Sequence, residues 1–329
     1  MMRPLHESDR AADAPLAHDL LTRCIFPPPG HALPCAVSGG ADSLALLVLA
    51  AAAGCDVTAF HVDHGLRPGS AAEGDVVAAA AARFGVRLER RRVQLEPGPN
   101  LEARARAARF AVLPPDVATG HTMDDQAETV LLALLRGAAL DGLSGMQAER
   151  PAGPEPSPGL AGMTPSPPRR PLLGLRRAET AALCASEGLA PVADPTNSDP
   201  RFRRNRVRAE VLPLLSEVAG RDLVPVLARQ AALMADDARL LESLSAALDP
   251  TDARRVARAP LPLARRAIRR WLRSGDAGGD LERHPPSSAA VARVLAVAAG
   301  AVRACELAGG RRVERHAGRL RVAGKVTGS

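Results

Sequence analysis

A chain of 329 residues with a net charge of +7 and a calculated pI of about 10.2 is long enough for one large α/β domain and a smaller one, without disulfide or metal staples. The charge points to a polyanionic partner. A GC-rich coding bias would account for the preference for arginine, Lys325 being the only lysine, but not for the net charge. Aromatic residues make up 2% of the chain and tyrosine is absent. Base stacking on aromatic platforms is thereby excluded as the main mode of RNA contact, and that work falls to arginine.

Cys24, Cys35, Cys55, Cys184 and Cys305 are scattered, with no CxxC pair. No zinc site, iron–sulfur cluster or disulfide framework is therefore expected. The amino-terminal MMRPLHESDRAADAPLAHDLL holds acidic residues and no uninterrupted apolar core, unlike a signal peptide. The most apolar runs, Leu44–Ala53 and Val291–Val302, are too short to span a bilayer. A cytoplasmic protein with no membrane partner is expected.

Short apolar strands alternating with helical patterns predict a Rossmann-like α/β fold, a parallel sheet with helices on both faces. Strands are predicted at Ala32–Val37, Val57–Val62, Arg87–Val93 and Val117–Thr119, and helices at Ser43–Ala53, Ala71–Phe84, Asn100–Val112 and Thr122–Arg136. Gly54 and Gly85 stand where helix C-caps belong. The proline- and glycine-rich stretch Arg150–Pro168 is expected to be irregular and mobile. RPLLGLRRAETAALCASEG reads as a last strand-and-helix unit. From about Glu217 only helical patterns follow, with basic faces such as ARRVARAPLPLARRAIRRWLR. The tail ELAGGRRVERHAGRLRV reads as a two-stranded β-hairpin turning at HAG. The expected organisation is an N-terminal extension (1–30), an α/β catalytic domain (31–216) and a smaller, mainly helical C-terminal domain (217–329) ending in the hairpin.

The stretch SGGADS, Ser38 to Ser43, follows a buried strand and opens an apolar helix, the context in which a glycine-rich loop becomes an anion site. Gly39 and Gly40 admit an oxyanion to the backbone, and the free N–H groups with the helix dipole favour phosphate. Ser38 and Ser43 add hydroxyls, and the Ala41 backbone belongs to the same cradle. Asp42 would repel phosphates unless a cation intervenes, so its expected role is a Mg²⁺ ligand. A plain strand–turn–helix corner is the alternative. The lysine of the common P-loop, which meets the β- and γ-phosphates, has no counterpart. That suits a loop holding a pyrophosphate while the α-phosphate is attacked.

In GHTMDDQAET, Thr122 and Asp125 form a capping-box variant, while Asp125 and Glu128 share a helix face. Two like charges on one face call for a cation, or they are plain surface charge. NLEARARAARF carries Arg104, Arg106 and Arg109 on one amphipathic helix, suited to a carboxylate or merely solvated. RFRRNRVR packs arginines around Asn205, by composition more often a solvated face than a site.

SGGxDS resembles the PP-loop of ATP pyrophosphatases, enzymes that adenylate a substrate and release pyrophosphate. Together with FHVDHGLRPGS, NLEARARAARFAVL, ATGHTMDDQAETVLLALLRGAALDGLSGM, RPLL and DPTNSDPRFRRNRVRAEVLPLL in this order, it resembles the tRNA(Ile)-lysidine synthetase family from about Cys35 to Leu215. The resemblance implies ATP and Mg²⁺ as cofactors, and L-lysine and the isoleucine tRNA with a CAU anticodon as partners. It leaves room for a homodimer. It places ATP on Ser38–Ser43, with His61 and Val62 backbone toward adenine, as ligand sites beyond parallel strand ends also suggest. His64 is a candidate near the nucleotide. The substrate ammonium falls to Asp125 and Glu128, either a candidate base, and its carboxylate to Arg106, with Phe110 in place of the usual tyrosine. Asp124 is a second candidate for magnesium. Arg204, Asn205, Arg206 and Arg208 fall to tRNA phosphate or the reacting pyrimidine. A tRNA thiolase on the same loop would need paired cysteines, and a non-catalytic nucleotide- or RNA-binding module would leave the acidic cluster without a purpose.

Overall fold

A computed structural model of the chain describes residues 15–63, 70–93, 101–148, 168–192, 199–274 and 286–323. Residues 150–167 of the proline-rich stretch and His64 lie outside the described residues. The chain divides into two compact units, Met1–Leu233 and Met234–Ser329. The division falls inside a long helix, Val224–Ala246, later in the chain than the change of pattern at Glu217. Among the described residues, no helix is long and apolar enough to cross a membrane.

The first unit is built on a four-stranded parallel sheet in the order β3-β2-β1-β4, with β1 Ala32–Ala36, β2 Asp56–Asp63, β3 Arg87–Arg92 and β4 Ala118–Thr119. Helix α1 (Pro15–Leu21) precedes the sheet, and its Ala17 and Leu20 join the core. Helices α2 (Ala41–Ala52), α3 (Ser70–Arg83), α4 (Leu101–Ala111) and α5 (Met123–Leu135) alternate with the strands. Each predicted strand and helix of this alternation is present to within a residue or two. Helix α2 is apolar on every side because it is buried throughout, from Ser43 to Ala50. Gly54 and Gly85 end α2 and α3 with positive φ, the left-handed conformation that a side chain disfavours.

RPLL is not a strand. Only Arg169 bridges to Ala118 in parallel, through Arg169 N–H to the Val117 carbonyl (3.0 Å) and Thr119 N–H to the Arg169 carbonyl (2.9 Å). Pro168 and Pro171 on either side lack the N–H groups needed to extend the ladder. Turns follow, with Leu172 and Leu175 fully buried, and the chain enters α6 (Arg177–Ser186). The next helices of this unit are α7 (Arg203–Arg206), a π-helical turn (Val207–Val211) and α8 (Leu212–Ala219). Pro213 cannot donate to the carbonyl four residues back, which accounts for the widened turn ahead of it.

In the second unit, α10 (Ala253–Arg258), α11 (Leu261–Arg273) and α12 (Ser288–Ala299), after the long helix α9 (Val224–Ala246), pack on a sheet of three antiparallel strands. These are β5 (Ala304–Leu307), β6 (Arg311–His316) and β7 (Arg319–Ala323). The predicted hairpin is β6–β7, with Ala317 and Gly318 both at positive φ in its two-residue turn. The segment ahead of it adds a further strand, since Gly309 and Gly310 make a second reversal. The core joins Ile268, Trp271 and Leu272 of the strongly amphipathic α11 to Val294, Val313 and Leu320.

The order 3-2-1-4 puts the switch in strand order between β1 and β4, so the loops after these strands lie side by side. They touch at Gly120, where a Cβ would stand 3.0 Å from the Ser43 nitrogen and closer still to the Asp42 carbonyl. Gly120→Ala is therefore expected to destabilise the protein by about 1–3 kcal/mol, the cost of overpacking, in urea unfolding. An unchanged midpoint and slope would mean that the two loops are not in contact.

Candidate active site

The loop Ser38–Gly40 turns through Gly39 at φ +91°, where the Val192 side chain and the Glu73 carbonyl leave little room for a Cβ. The Ser38 N–H donates to Ser43 Oγ (3.2 Å), and that hydroxyl donates to the Gly40 carbonyl (2.8 Å). Ala41 begins α2, with Asp42 in its first turn. The loop is thus a preformed cradle at a helix N-terminus, with Ser38 exposed. His61 is buried at the end of β2, its Nδ1 donating to the Val37 carbonyl at 3.0 Å, so it braces the strand that delivers the loop. Val62, half-buried, follows it in the ladder with β3.

Three helix N-termini meet beside this loop. The Thr180 hydroxyl of α6 donates to Asp42 Oδ1, and Cys184 Sγ on the same helix lies 3.4 Å from the Ala41 carbonyl. The Met123 N–H of α5 donates to the Leu175 carbonyl (2.8 Å), while Asp124 accepts from the Arg177 N–H (2.9 Å) and from Arg176 Nε (3.1 Å). Asp124, a second candidate for magnesium, clamps α5 to α6. Asp125 accepts from Thr122 N–H (2.9 Å) and Thr122 Oγ1 (3.0 Å), the capping arrangement read from the sequence. On its other oxygen it meets Arg177 Nη2 (3.1 Å) and Arg204 Nη2 (3.2 Å).

Glu128, with no exposed surface, is ringed by guanidinium groups. Arg204 Nε (2.7 Å), Arg208 Nε (2.7 Å) and Arg177 Nη1 (3.2 Å) all donate to it. Arg204 and Arg208 stand four residues apart, on one face of a helix. Arg177 also reaches Asp42, Nε to Oδ2 at 3.5 Å. Burial raises the Asp42 carboxyl above its ordinary pKa, against the opposing pull of Thr180 and Arg177. At Asp125 burial acts in the same upward sense, but Arg177, the Thr122 N–H and Arg204 outweigh it and hold the group below the usual carboxylate range.

The other wall is cationic. Arg106, exposed on α4, lies over the Phe110 ring, 5.1 Å from its centroid. Arg170 is buried; its Nη1 donates to the Gln147 carbonyl (3.0 Å), while its Nε has no hydrogen-bond partner. Burial, with Arg106 adding to it, lowers the Arg170 pKa to about 10. His121, whose Nδ1 is 2.7 Å from Thr119 Oγ1, is pushed down to about 4 by burial and by Arg170, Arg204 and Arg106, against the pull of Asp125.

The structure therefore brings together Ser38–Ser43, Asp125, Glu128, Arg204 and Arg208, and Arg106 acts on His121 through its charge. Asn205 and Arg206 stand apart. Asn205 Nδ2 donates to the Asp199 carbonyl (2.9 Å), and Arg206, exposed, pairs with Glu210 (2.8 Å). Sequence reasoning missed Arg177, Thr180, His121 and Arg170. One signal was present: Arg176 and Arg177 open a helix, the end where the macrodipole disfavours cations, so carboxylates had to be waiting there.

A parallel sheet whose switch point carries a glycine loop without lysine, beside an acidic pair, defines a nucleotide-binding protein of the PP-loop class, and residues 16–215 match the PP-loop domain family. The tRNA(Ile)-lysidine synthase of Nocardia farcinica is 43% identical over 271 residues, covering 78% of this chain and 80% of that protein. Those of Mycolicibacterium paratuberculosis (44% over 256 residues, 74% and 75% covered) and Mycobacterium tuberculosis (40% over 263 residues, 75% and 76% covered) are similar to it as well. The chain belongs to the tRNA(Ile)-lysidine synthase family. Among solved structures, the U34-tRNA thiolase NcsA from Methanococcus maripaludis, with its [4Fe-4S] cluster, is similar at 17% identity and a TM-score of 0.46, covering 69% of this chain and 76% of that one.

Glu128→Gln keeps the side chain's shape and removes the charge that three arginines share. It is expected to cost about 3–5 kcal/mol of stability, as loss of one partner from a buried ion pair does. Equal unfolding free energies for variant and wild type would mean that solvent, not Glu128, satisfies the arginines. His121 supplies a pH test. Its folded pKa of about 4 lies below the ordinary 6.5, so its contribution to stability is full above 6.5 and is lost as pH falls toward 4. The urea midpoint should fall over that window more steeply in wild type than in His121→Gln; parallel curves would place His121 in solvent.

Proposed function

We propose that the chain ligates L-lysine to carbon 2 of the wobble cytidine of the CAU-anticodon isoleucine tRNA, at the expense of ATP. The observation that carries this reading is the junction of two half-sites: a lysine-free phosphate loop at Ser38–Ser43 and a buried acidic pair, Asp125 and Glu128, bridged by one arginine. A nucleotide fits the first and an ammonium the second. Membership of the family supports the tRNA as the third reactant.

In this reading ATP lies on Ser38–Ser43, its adenine toward the backbone of His61 and Val62. The C2 oxygen of the cytidine attacks the α-phosphate, the α–β phosphoanhydride bond breaks, and pyrophosphate leaves from the cradle. The lysine ε-amine then adds to carbon 2 of the activated base and AMP departs, one proton being released in the exchange. Most of the acceleration comes from holding three reactants in register and neutralising charge. Asp125 and Glu128 anchor and orient the amine, and either is a candidate to accept the proton that the ammonium must lose before it attacks. Arg106 and Arg170 offer guanidinium to the amino acid's carboxylate.

Asp42 suits Mg²⁺: a hard carboxylate oxygen, about a quarter exposed at the edge of the cradle, is the usual single protein ligand for that ion beside phosphates. Bound there, magnesium would supply charge neutralisation between Asp42 and the phosphates. Arg206, exposed though it stands apart from the acidic pair, and the exposed Arg265 and Arg273 of α11 are read as contacts for tRNA phosphate. The C-terminal unit, which offers no catalytic constellation among its described residues, is read as the tRNA-holding part.

Pyrophosphate release sustained over many turnovers only when both lysine and the isoleucine tRNA are present is the expected signature of this function. Asp42→Asn should slow it by about 100-fold, the order of losing a well-placed electrostatic group, with folding preserved. Release that continues without lysine beyond one pyrophosphate per tRNA would sink the ligation, and near-wild-type turnover of Asp42→Asn at saturating magnesium would remove Asp42 from it.

A further inference from the structure

Arg177 is the side chain through which the two half-sites touch. It lies in the first turn of α6, its backbone N–H fixed on Asp124 (2.9 Å). Its guanidinium faces Asp42 through Nε (3.5 Å), Glu128 through Nη1 (3.2 Å) and Asp125 through Nη2 (3.1 Å). Arg204 and Arg208 serve the acidic pair and make no ion pair with Asp42 among the described residues. Arg177 is therefore the arginine in position to exchange between that pair and the phosphate loop.

The acidic pair is saturated in this arrangement. A carboxylate offers about four lone-pair sites. On Glu128, Oε1 meets Arg177 Nη1, Arg177 Nη2 and Arg208 Nε, while Oε2 meets Arg204 Nε and Arg208 Nη2. On Asp125, Oδ1 meets Arg177 and Arg204, and Oδ2 meets the Thr122 N–H and hydroxyl. An incoming ammonium, which needs acceptors for three donors, must displace something. The Thr122 contacts belong to the helix cap, and the Nε donors of Arg204 and Arg208 lie closest to Glu128, both at 2.7 Å. Arg177 reaches Glu128 at 3.2 and 3.3 Å and is the one of the three arginines without a 2.7 Å contact there. Its departure opens sites on both carboxylates at once.

We propose that Arg177 is a positioning residue that couples the nucleotide to the amino acid: the phosphates of ATP on Ser38–Ser43 draw its guanidinium away from Asp125 and Glu128, and the freed oxygens take the substrate ammonium. The guanidinium is the right carrier for this exchange. It stays charged in both positions, and phosphate matches its fork as well as carboxylate does. ATP therefore tightens lysine binding, and lysine tightens ATP binding by the same factor. This coupling rests on the reading of lysine as substrate.

Calorimetric titration of the full chain with lysine, with and without saturating nonhydrolysable ATP analogue, tests it. Wild type is expected to bind lysine about tenfold more tightly with the analogue, within the usual range of coupling between sites. Arg177→Gln should bind lysine tightly without nucleotide, and the analogue should then change its affinity by less than about twofold, a loss of coupling. Arg177→Lys, which keeps the charge but cannot span both half-sites, should lose most of the coupling too, and serves if the glutamine variant does not fold. Equal lysine affinity of wild type in both conditions, or full coupling in either variant, overturns the inference alone. Wild type that binds the analogue but no lysine in either condition overturns the amino-acid reading itself, and this inference with it.

Discussion

Glu128 is the point on which the first unit's helices agree. A carboxylate withdrawn from water loses several kcal/mol of solvation, regained only if its donors are well placed. Here the donors come from segments far apart in sequence: Arg177 from the start of α6, Arg204 from α7 and Arg208 from the π-helical turn. None can be satisfied unless α5, α6 and the Arg203–Val211 segment are all in place. The network therefore specifies an arrangement more than it adds stability. An apolar substitute would hold these helices with less cost, but it would bind nothing.

The same crowding would let one site serve the proposed reactants of opposite charge. Convergent N-termini of α2, α5 and α6 give the region a positive field suited to phosphate. Asp42, Asp124 and Asp125 in the first turns of α2 and α5 neutralise it locally. Gly120 lets the loops after β1 and β4 approach until the nucleotide cradle and the acidic pair are neighbours. The cationic wall of Arg106 and Arg170, with His121 beside it kept neutral at physiological pH, would then give the proposed substrate's carboxylate a place apart from its amine.

Local patterns were legible in the sequence. The strands and helices of the sheet follow from apolar alternation, and SGGADS could be placed because its role needs only the strand before it and the helix after it. Asp125 and Glu128 were visible as a pair at helical spacing. Their partners were not, since Arg177 lies 49 residues beyond Glu128 and Arg208 lies 80 beyond it; no window of sequence joins them. RPLL has a strand's composition, yet its own Pro171, with Pro168 ahead of it, leaves only the preceding Arg169 to bridge. The β5 strand was hidden because AGG ends an element as readily as it turns another hairpin. The place of Asp124 was hidden for the same reason as Arg177: its partner, Arg176, sits 52 residues away.

The near-absence of lysine gains a physical meaning at this site. A guanidinium is a flat fork that can bridge two or three carboxylates, whereas an ammonium is a compact point charge that seats in one tetrahedral set of acceptors. A lysine side chain among Asp42, Asp125 and Glu128 would fill the seat proposed for the substrate's own ammonium, with the advantage of being tethered. Arginines neutralise the carboxylates without copying the ligand's shape, so a free lysine competes with groups that fit the pair less closely than it does. Whatever bias put arginine at most basic positions of this chain, at these the chemistry of the proposed substrate would favour the same choice.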